Sequence, residues 1–173
     1  MKFDTSIVQT TFQSPLGAMT LAATQAGLAG VWFEGQRHLP AELDSPSSWP
    51  VNAAHPVLKK AAQQLTEYFA GQRSEFDLKL DLSGGTAFQQ AVWQALLRIA
   101  PGLTSSYGNI SKTIGNTAAV RAVGAAVGRN PISIIVPCHR VLGTDGSLTG
   151  YAGGLDRKAA LLKHEGVLTE ELF

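Results

Sequence analysis

The chain has 173 residues, a hydrophobic content of 45% and a formal net charge of +1, which fits one medium-sized globular domain or two small ones. It contains no run of about eighteen apolar residues and no apolar segment near Met1, so neither a membrane span nor a secretory signal is predicted. Its single cysteine excludes an intramolecular disulfide and a cysteine-based zinc cluster, and a free thiol favours a cytoplasmic location.

The two halves of the chain differ in charge. Residues 1–85 hold six Lys and Arg against eight Asp and Glu, whereas residues 86–173 hold eight against five. A locally basic half is typical of a surface that faces nucleic acid, although a difference this small also arises by chance.

The first third of the chain predicts an antiparallel meander. Its apolar segments are short, rich in residues that favour strands, and separated by turn residues. The predicted strands are residues 8–12, 19–23 and 28–33. The polar, proline-rich stretch 34–56 predicts a long loop with at most a short helical piece.

A helix and a fourth strand are expected to complete an N-terminal domain. Pro56 can occupy the first turn of a helix, and Gly71 is a natural stop after it. Residues 76–80 alternate and predict a strand that rejoins the sheet. Because the pattern then changes from strand to helix, Ser83-Gly84-Gly85 is the predicted boundary between a domain over 1–85 and one over 86–173.

The second domain is predicted to be mainly helical, which makes the whole chain an α/β (α+β) protein. A first helix follows the capping-box residues Thr86 and Gln89. Ser106 can cap a second helix, and a glycine turn separates it from a third helix over about 117–128. Two short helices across a glycine turn are the helix-turn-helix arrangement.

The helix over 117–128 is composed almost entirely of alanine, glycine and valine, and Arg121 is its only charged residue. Glycine inside a helix costs about 1 kcal/mol relative to alanine, so a compensating contact is expected. Small side chains allow a close approach either to a nucleic-acid groove or to another helix, and composition alone does not choose between them.

The cysteine lies in a segment with its own pattern. An apolar run between Pro131 and Pro137 predicts a buried extended segment that delivers Cys138 to a fixed position. A lone cysteine is most often a small buried hydrophobe. Here His139 and Arg140 follow directly, so positive charge and a turn after the proline predict a lowered thiol pKa and a reactive role.

At this point the sequence resembles a known family. Pro137-Cys138-His139-Arg140-Val141, preceded by Arg129-Asn130-Pro131, is similar to the active-site signature of the O6-alkylguanine-DNA alkyltransferases, also called methylated-DNA–protein-cysteine methyltransferases. Further blocks of that family follow in its order: Ser106-Tyr107, Arg121-Ala122-Val123-Gly124, Tyr151-Ala152-Gly153-Gly154 and Leu161-Leu162-Lys163-His164-Glu165. The resemblance is strong from about Thr86 to Glu165 and weaker before Gly85.

The resemblance implies direct, single-turnover transfer of the alkyl group of O6-alkylguanine, with O4-alkylthymine as a second candidate, to a cysteine. Cys138 would be the nucleophile, His139 its base through a water molecule, and Glu165 the group that orients His139. Tyr107 would contact the flipped base, and Asn130 would fix the hinge before the cysteine segment, with tolerance of a left-handed backbone as a secondary reason.

The partner implied is duplex DNA, entered through the minor groove. Arg121 would be the wedge that replaces the flipped base, on a smooth surface formed by Ala122, Gly124 and Ala125. The implied base pocket is formed by Val141, Tyr151, Ala152 and Gly153. Many relatives carry serine where this chain has Ala152, so a side-chain hydrogen bond from that position is absent here.

No cofactor and no metal is expected, and the chain should be monomeric, with cooperative assembly on DNA left open. Two other classes of protein remain open from the residues alone. A non-catalytic sensor of alkyl damage would use the same helices, but it would not need Cys138. A cysteine hydrolase with a Cys–His–Glu triad would turn over many times, but it would leave Arg121 unexplained.

Overall fold

The computed structural model describes residues 1–45 and 48–168. The chain forms two compact units. The first comprises residues 1–86 together with 131–133, and the second comprises 87–130 and the described residues from 134 onward. Within the described residues, no helix has both the length and the apolar character needed to cross a membrane.

The first unit contains the predicted meander, which is confirmed. Its three antiparallel strands, in the spatial order in which they occur along the chain, are β1 (Val8–Ser14), β2 (Gly17–Thr24) and β3 (Gly27–Phe33). Every residue of β3 is buried, which is why this strand reads as a continuous apolar run.

One helix packs on this sheet. It is α1 (Pro56–Phe69), whose buried residues include Leu58, Leu65 and Tyr68. Proline occupies its first position, and Gly71 adopts a φ of +75° just beyond its end, a conformation that glycine tolerates best. The polar stretch before this helix contains a short 3₁₀ helix, Ala41–Asp44.

The predicted fourth strand over 76–80 is wrong. Only Leu80 bridges the sheet, where Asp81 N donates to Leu28 O at 2.7 Å. Before that point the chain is held by α1 instead, because Gln64 donates to Asp77 O at 3.1 Å and accepts from Asp77 N at 2.9 Å. The backbone groups of Asp77 therefore have a helix side chain as their partner where the pattern predicted a strand ladder.

A second segment also lies along β3. Val31 N donates to Pro131 O at 2.8 Å, and Ser133 N donates to Val31 O at 3.0 Å. These bonds form a single parallel bridge between Val31 and Ile132. The first unit thus includes residues 131–133, the first part of the segment that leads to Cys138.

The second unit is mainly helical, as predicted. Its elements are α2 (Ala87–Leu96), β4 (Ser105–Ser106), α3 (Tyr107–Thr113), α4 (Val120–Gly128), β5 (Val141–Leu142) and α5 (Leu155–His164). The two short strands pair in parallel. Trp93 of α2 is fully buried and its indole N–H donates to Ala126 O of α4 at 2.8 Å, which joins these helices through both packing and a hydrogen bond.

The helices α3 and α4 form the predicted helix-turn-helix. The hydroxyl of Ser106 caps α3 by accepting from Asn109 N at 3.1 Å, as its sequence predicted. The third helix begins at Val120, later than the predicted Thr117. Ala119 N donates to Asn116 O at 3.1 Å, so the residues between form a turn before the first helical bond.

Candidate active site

The segment that leads to Cys138 is buried, as predicted, and it pairs with β3 at Ile132, but from Ile134 onward it is turned and the predicted extended conformation is wrong there. Ile134 adopts a φ of +72°, and a 3₁₀ helix, Cys138–Arg140, follows Pro137. A buried β-branched residue in this left-handed region stores strain of about 1–3 kcal/mol, which the surrounding structure must hold.

Asn130 closes this loop. Its side-chain amide donates to Val136 O at 2.7 Å, and its side chain also hydrogen-bonds the thiol of Cys138. The predicted left-handed backbone at Asn130 is wrong, because the positive φ in this loop belongs to Ile134. This hydrogen bond places Asn130 at the sulfur of Cys138, a contact that its predicted role as a hinge did not include.

The thiol of Cys138 is buried, and this burial raises its pKa to about 11. The Asn130 hydrogen bond, the charge of Lys158 and backbone hydrogen bonds from Cys138 and His139 lower the pKa of the thiol, so the predicted effect of the turn after Pro137 is present but smaller than that of burial. The predicted lowering of the thiol pKa by His139 and Arg140 is wrong. Burial lowers the pKa of His139 and keeps the ring neutral, and Arg140 is paired with a carboxylate.

His139 and Glu165 form a buried pair, with Nε2 of the ring 2.8 Å from Oε2 of the carboxylate. A carboxylate can only accept, so a neutral imidazole must carry its proton on Nε2. The lone pair is then on Nδ1, which is buried and has no hydrogen-bond partner among the described residues. The structure thus leaves one basic nitrogen of His139 open to accept a proton.

Arg140 holds the same carboxylate. Its Nε lies 2.7 Å from Oε1 of Glu165 and its Nη2 lies 3.0 Å from Oε2, which is a bidentate pair. Its Nη1 donates to Ile99 O at 2.6 Å. Arg140 therefore does not belong to the basic surface that the charge count predicted.

Lys158 is the residue that sequence reasoning missed. It was counted with the surface basic residues, yet it is fully buried. Its ammonium donates to Val141 O at 2.6 Å, Thr149 O at 2.5 Å and Gly150 O at 3.2 Å. The sequence offered one signal of this burial: Leu161 and Leu162, three and four positions after Lys158, place it on the apolar face of the helix.

The residues of the predicted base pocket occupy the same unit. Val141, Tyr151 and Gly153 are buried, and Ala152 is partly exposed. Next to them an open depression of about 620 Å³ is lined by residues 153–157. Tyr107, the first residue of α3, reaches this loop, since its hydroxyl donates to Thr149 O at 3.4 Å.

Two turns shape this loop. Gly143 N donates to Ser147 O at 3.0 Å and closes a turn over 143–147, after which no pairing strand follows among the described residues. Gly154, with a φ of +94°, occupies the cap position of α5, and Asp156 lies within the first turn of that helix.

The helix α4 presents its small residues to solvent. Arg121, Ala122 and Ala125 are exposed, and Gly124 is partly exposed. The opposite face buries Val123, Ala126 and Val127, which provide its packing within the unit. The alternative that the small residues serve close helix packing is therefore not supported for this exposed face.

These elements define a class of protein: a helix-turn-helix unit that also holds a buried cysteine followed directly by a histidine paired with a glutamate. Family models give the particular assignment. The model of the 6-O-methylguanine DNA methyltransferase DNA binding domain matches residues 87–167, and that of the same family's ribonuclease-like domain matches residues 7–82.

Individual relatives agree with the family models. The methylated-DNA–protein-cysteine methyltransferase of Methanosarcina acetivorans is 50% identical over 156 residues, which cover 90% of this chain and 96% of the relative. That of Mycobacterium tuberculosis strain H37Rv is 49% identical over 155 residues and covers 90% of each chain. The chain belongs to the 6-O-methylguanine DNA methyltransferase family.

Solved structures extend the likeness to the fold. The crystal structure of Mycobacterium tuberculosis O6-methylguanine methyltransferase gives a TM-score of 0.81 at 46% identity, covering 96% of this chain and 97% of that one. The crystal structure of M. tuberculosis OGT in complex with DNA gives 0.81 at 47% identity, covering 91% and 92%. The predicted class, fold and activity, DNA repair by alkyl transfer, are thereby confirmed, and the non-catalytic alternative is not supported.

Proposed function

We propose that this protein repairs duplex DNA by transferring the alkyl group of O6-alkylguanine, and of O4-alkylthymine as a second substrate, to Cys138. The observation that carries the proposal is a buried thiol, hydrogen-bonded by Asn130, at the residue directly before the histidine that pairs with Glu165. The residues of this site all lie in the second unit. We propose that residues 86–173 form the DNA-binding and active-site domain and that residues 1–85 support it.

The transfer is an in-line displacement at the alkyl carbon. The sulfur of Cys138 forms a bond to that carbon while the bond from carbon to O6 breaks, and its electron pair stays on the base. The base takes up a proton and remains in the DNA as guanine, and the protein keeps an S-alkyl thioether. No cofactor or metal is needed for any of these bonds.

His139 supplies the base that the thiol requires. A thiol whose pKa is about 11 is ionised to only about one part in 10⁴ at pH 7, so unaided attack would be slow. The lone pair on Nδ1 can take the thiol proton through a water molecule. The carboxylate of Glu165, 2.8 Å from Nε2, then stabilises the imidazolium that forms.

The alkylated base must leave the stack to reach Cys138. Flipping costs a few kcal/mol, and least for a damaged, poorly paired base. We propose that α4 enters the minor groove with Ala122, Gly124 and Ala125 against the backbone, and that Arg121 fills the gap. The flipped base would contact Tyr107 and occupy the pocket formed by Val141, Tyr151, Ala152 and Gly153.

The thioether is a poor leaving group, and the chain has no second cysteine to remove the alkyl group. Each protein molecule should therefore act once, as a monomer that binds one lesion. The test is the intact mass of the protein after mixing with a duplex that holds one O6-methylguanine. One methyl group per chain, mapped to Cys138, is expected; an unchanged mass, or a methyl group on another residue, would disprove the proposal.

Replacement of the wedge should impair duplex substrates selectively. Arg121→Ala is expected to slow single-turnover transfer from a duplex by about 10- to 100-fold, because a few kcal/mol of flipping cost is no longer offset. Transfer from the same lesion in single-stranded DNA should change much less. Arg98→Ala, which alters another exposed arginine, is the matched control. Equal losses on single-stranded and duplex DNA would contradict the wedge.

A further inference from the structure

The ammonium of Lys158 is the one buried cation in the described part of the active-site unit that no ion pair neutralises. Burying a charge is costly unless hydrogen bonds or a counter-charge compensate. Three backbone carbonyls supply the hydrogen bonds. The mechanism proposed above assigns no role to the buried ammonium of Lys158.

The three carbonyls belong to two parts of the site. Val141 directly follows the 3₁₀ helix that carries the cysteine, whereas Thr149 and Gly150 directly precede Tyr151 of the proposed pocket. The carbonyl of Thr149 also accepts the hydroxyl of Tyr107. One side chain thus joins the cysteine segment, the pocket loop and the start of α3.

The charge of Lys158 also acts on the reacting groups. This positive charge lowers the pKa of the Cys138 thiol and the pKa of the His139 ring. The negative charge of a Cys138 thiolate, in turn, raises the pKa of Lys158. A positive charge near a sulfur stabilises the thiolate and therefore the developing charge of the attacking group. In a buried site this interaction is weakly screened.

We propose that Lys158 is a positioning residue that also acts through its charge. It fixes the loop at Thr149 and Gly150 around the substrate, and its ammonium offsets the burial of the Cys138 thiolate. The inference rests on the proposed function, because it concerns the same transfer. It assigns Lys158 to the reaction without direct contact to the alkyl group.

The pH dependence separates charge from structure. Burial lowers the pKa of Lys158 to about 8, while its three carbonyl acceptors favour the charged form. The ammonium is therefore present below about pH 8 and is lost above it. The titratable groups near the ammonium of Lys158 are Cys138 and His139 of the 3₁₀ helix, and Tyr107 of α3, whose hydroxyl shares the acceptor Thr149 O with it. On its own helix, the neighbouring charged residues in the sequence are Asp156 and Arg157.

The experiment compares single-turnover methyl transfer from an O6-methylguanine duplex by the parent protein, Lys158→Met and Lys163→Met between pH 6 and 10. Lys163→Met removes an exposed lysine from the same helix and serves as the control. We expect Lys158→Met to be slower by about tenfold or more at pH 6.5, the effect of one pKa unit in thiolate stability. The ratio of the parent rate to the Lys158→Met rate should fall as the pH passes about 8 and level off above one, because a neutral amine can still donate to the three carbonyls whereas methionine cannot.

Duplex affinity and circular dichroism are measured on each protein, so that a loss of binding or folding is recognised. If Lys158→Met misfolds, Lys158→Ala is used in its place with propylamine added to supply the missing amine. The rate of methyl transfer by Lys158→Ala is then expected to rise with the propylamine concentration. An unchanged rate in Lys158→Met, a rate ratio that is independent of pH, or a folded Lys158→Ala without amine rescue overturns the inference. Failure of transfer by the parent protein would instead disprove the proposed function.

Discussion

Replacing Glu165 by alanine is expected to lower the free energy of unfolding by about 3–5 kcal/mol, because removal of one partner leaves a buried charge without compensation. The side chain of Glu165 is 3% exposed, and it accepts from both Arg140 and His139. Without it, the guanidinium of Arg140 keeps only the carbonyl of Ile99 among its observed acceptors. Urea denaturation of the parent and the variant measures the loss.

A more exposed ion pair in the same chain provides the control. Glu67 lies 3.2 Å from Arg73, and both side chains are about one third exposed. Glu67→Ala should therefore cost only about 0–1 kcal/mol. The double variant Arg140→Met, Glu165→Leu should recover part of the loss, since apolar residues can replace a buried pair. If Glu165→Ala lowers the free energy of unfolding no more than Glu67→Ala does, the carboxylate of Glu165 does not stabilise the site.

Replacing Cys138 by serine should abolish alkyl transfer, with a loss on the order of 10³-fold or more, because a hydroxyl is a far weaker nucleophile than a thiolate. The shape and burial of the site change little with this substitution. Duplex affinity should therefore stay close to that of the parent protein. Rapid-quench measurement of methyl transfer, with a parallel binding titration, tests both statements.

His139→Gln is the informative comparison. It keeps the thiol and removes the base, so an intermediate loss of about 10²- to 10⁴-fold is expected. The order parent, His139→Gln, Cys138→Ser would assign nucleophile and base to separate residues. Methyl transfer to Cys138→Ser at the parent rate would mean that another residue accepts the alkyl group.

The parts of the fold that sequence predicted well are those with local causes. The three strands follow from apolar runs between turn residues, α1 from Pro56 and Gly71, and the start of α3 from the cap at Ser106. Each of these is determined by residues within a few positions along the chain. The resemblance also gave the correct family and activity, and its site residues remain proposals.

Long-range contacts caused the errors. Residues 76–80 look like a strand, but Gln64, more than ten positions away, takes the backbone groups of Asp77. Arg140 and Lys158 look like surface cations, but Glu165 and three carbonyls hold them inside. A local sequence pattern does not predict which distant acceptor will hydrogen-bond a charged side chain.

The prediction of the thiol pKa failed for a related reason. The sequence shows the charges near Cys138 but not the depth of its burial, and burial is the larger influence. The left-handed conformation of Ile134 was equally invisible, because β-branched residues rarely adopt it. Both features depend on how the whole loop is enclosed.

The short pairing between Val31 and Ile132 affects how the protein can be divided and how it is made. A ribosome must synthesise most of the second unit's helices before the last residues of the first unit emerge. A gene fragment that stops at residue 86 would keep β3 but lose the neighbour of Val31, whose backbone groups would then be open to pairing with another chain. Expression of the two family regions as separate pieces should thus favour aggregation of the first, although both regions match their own family models.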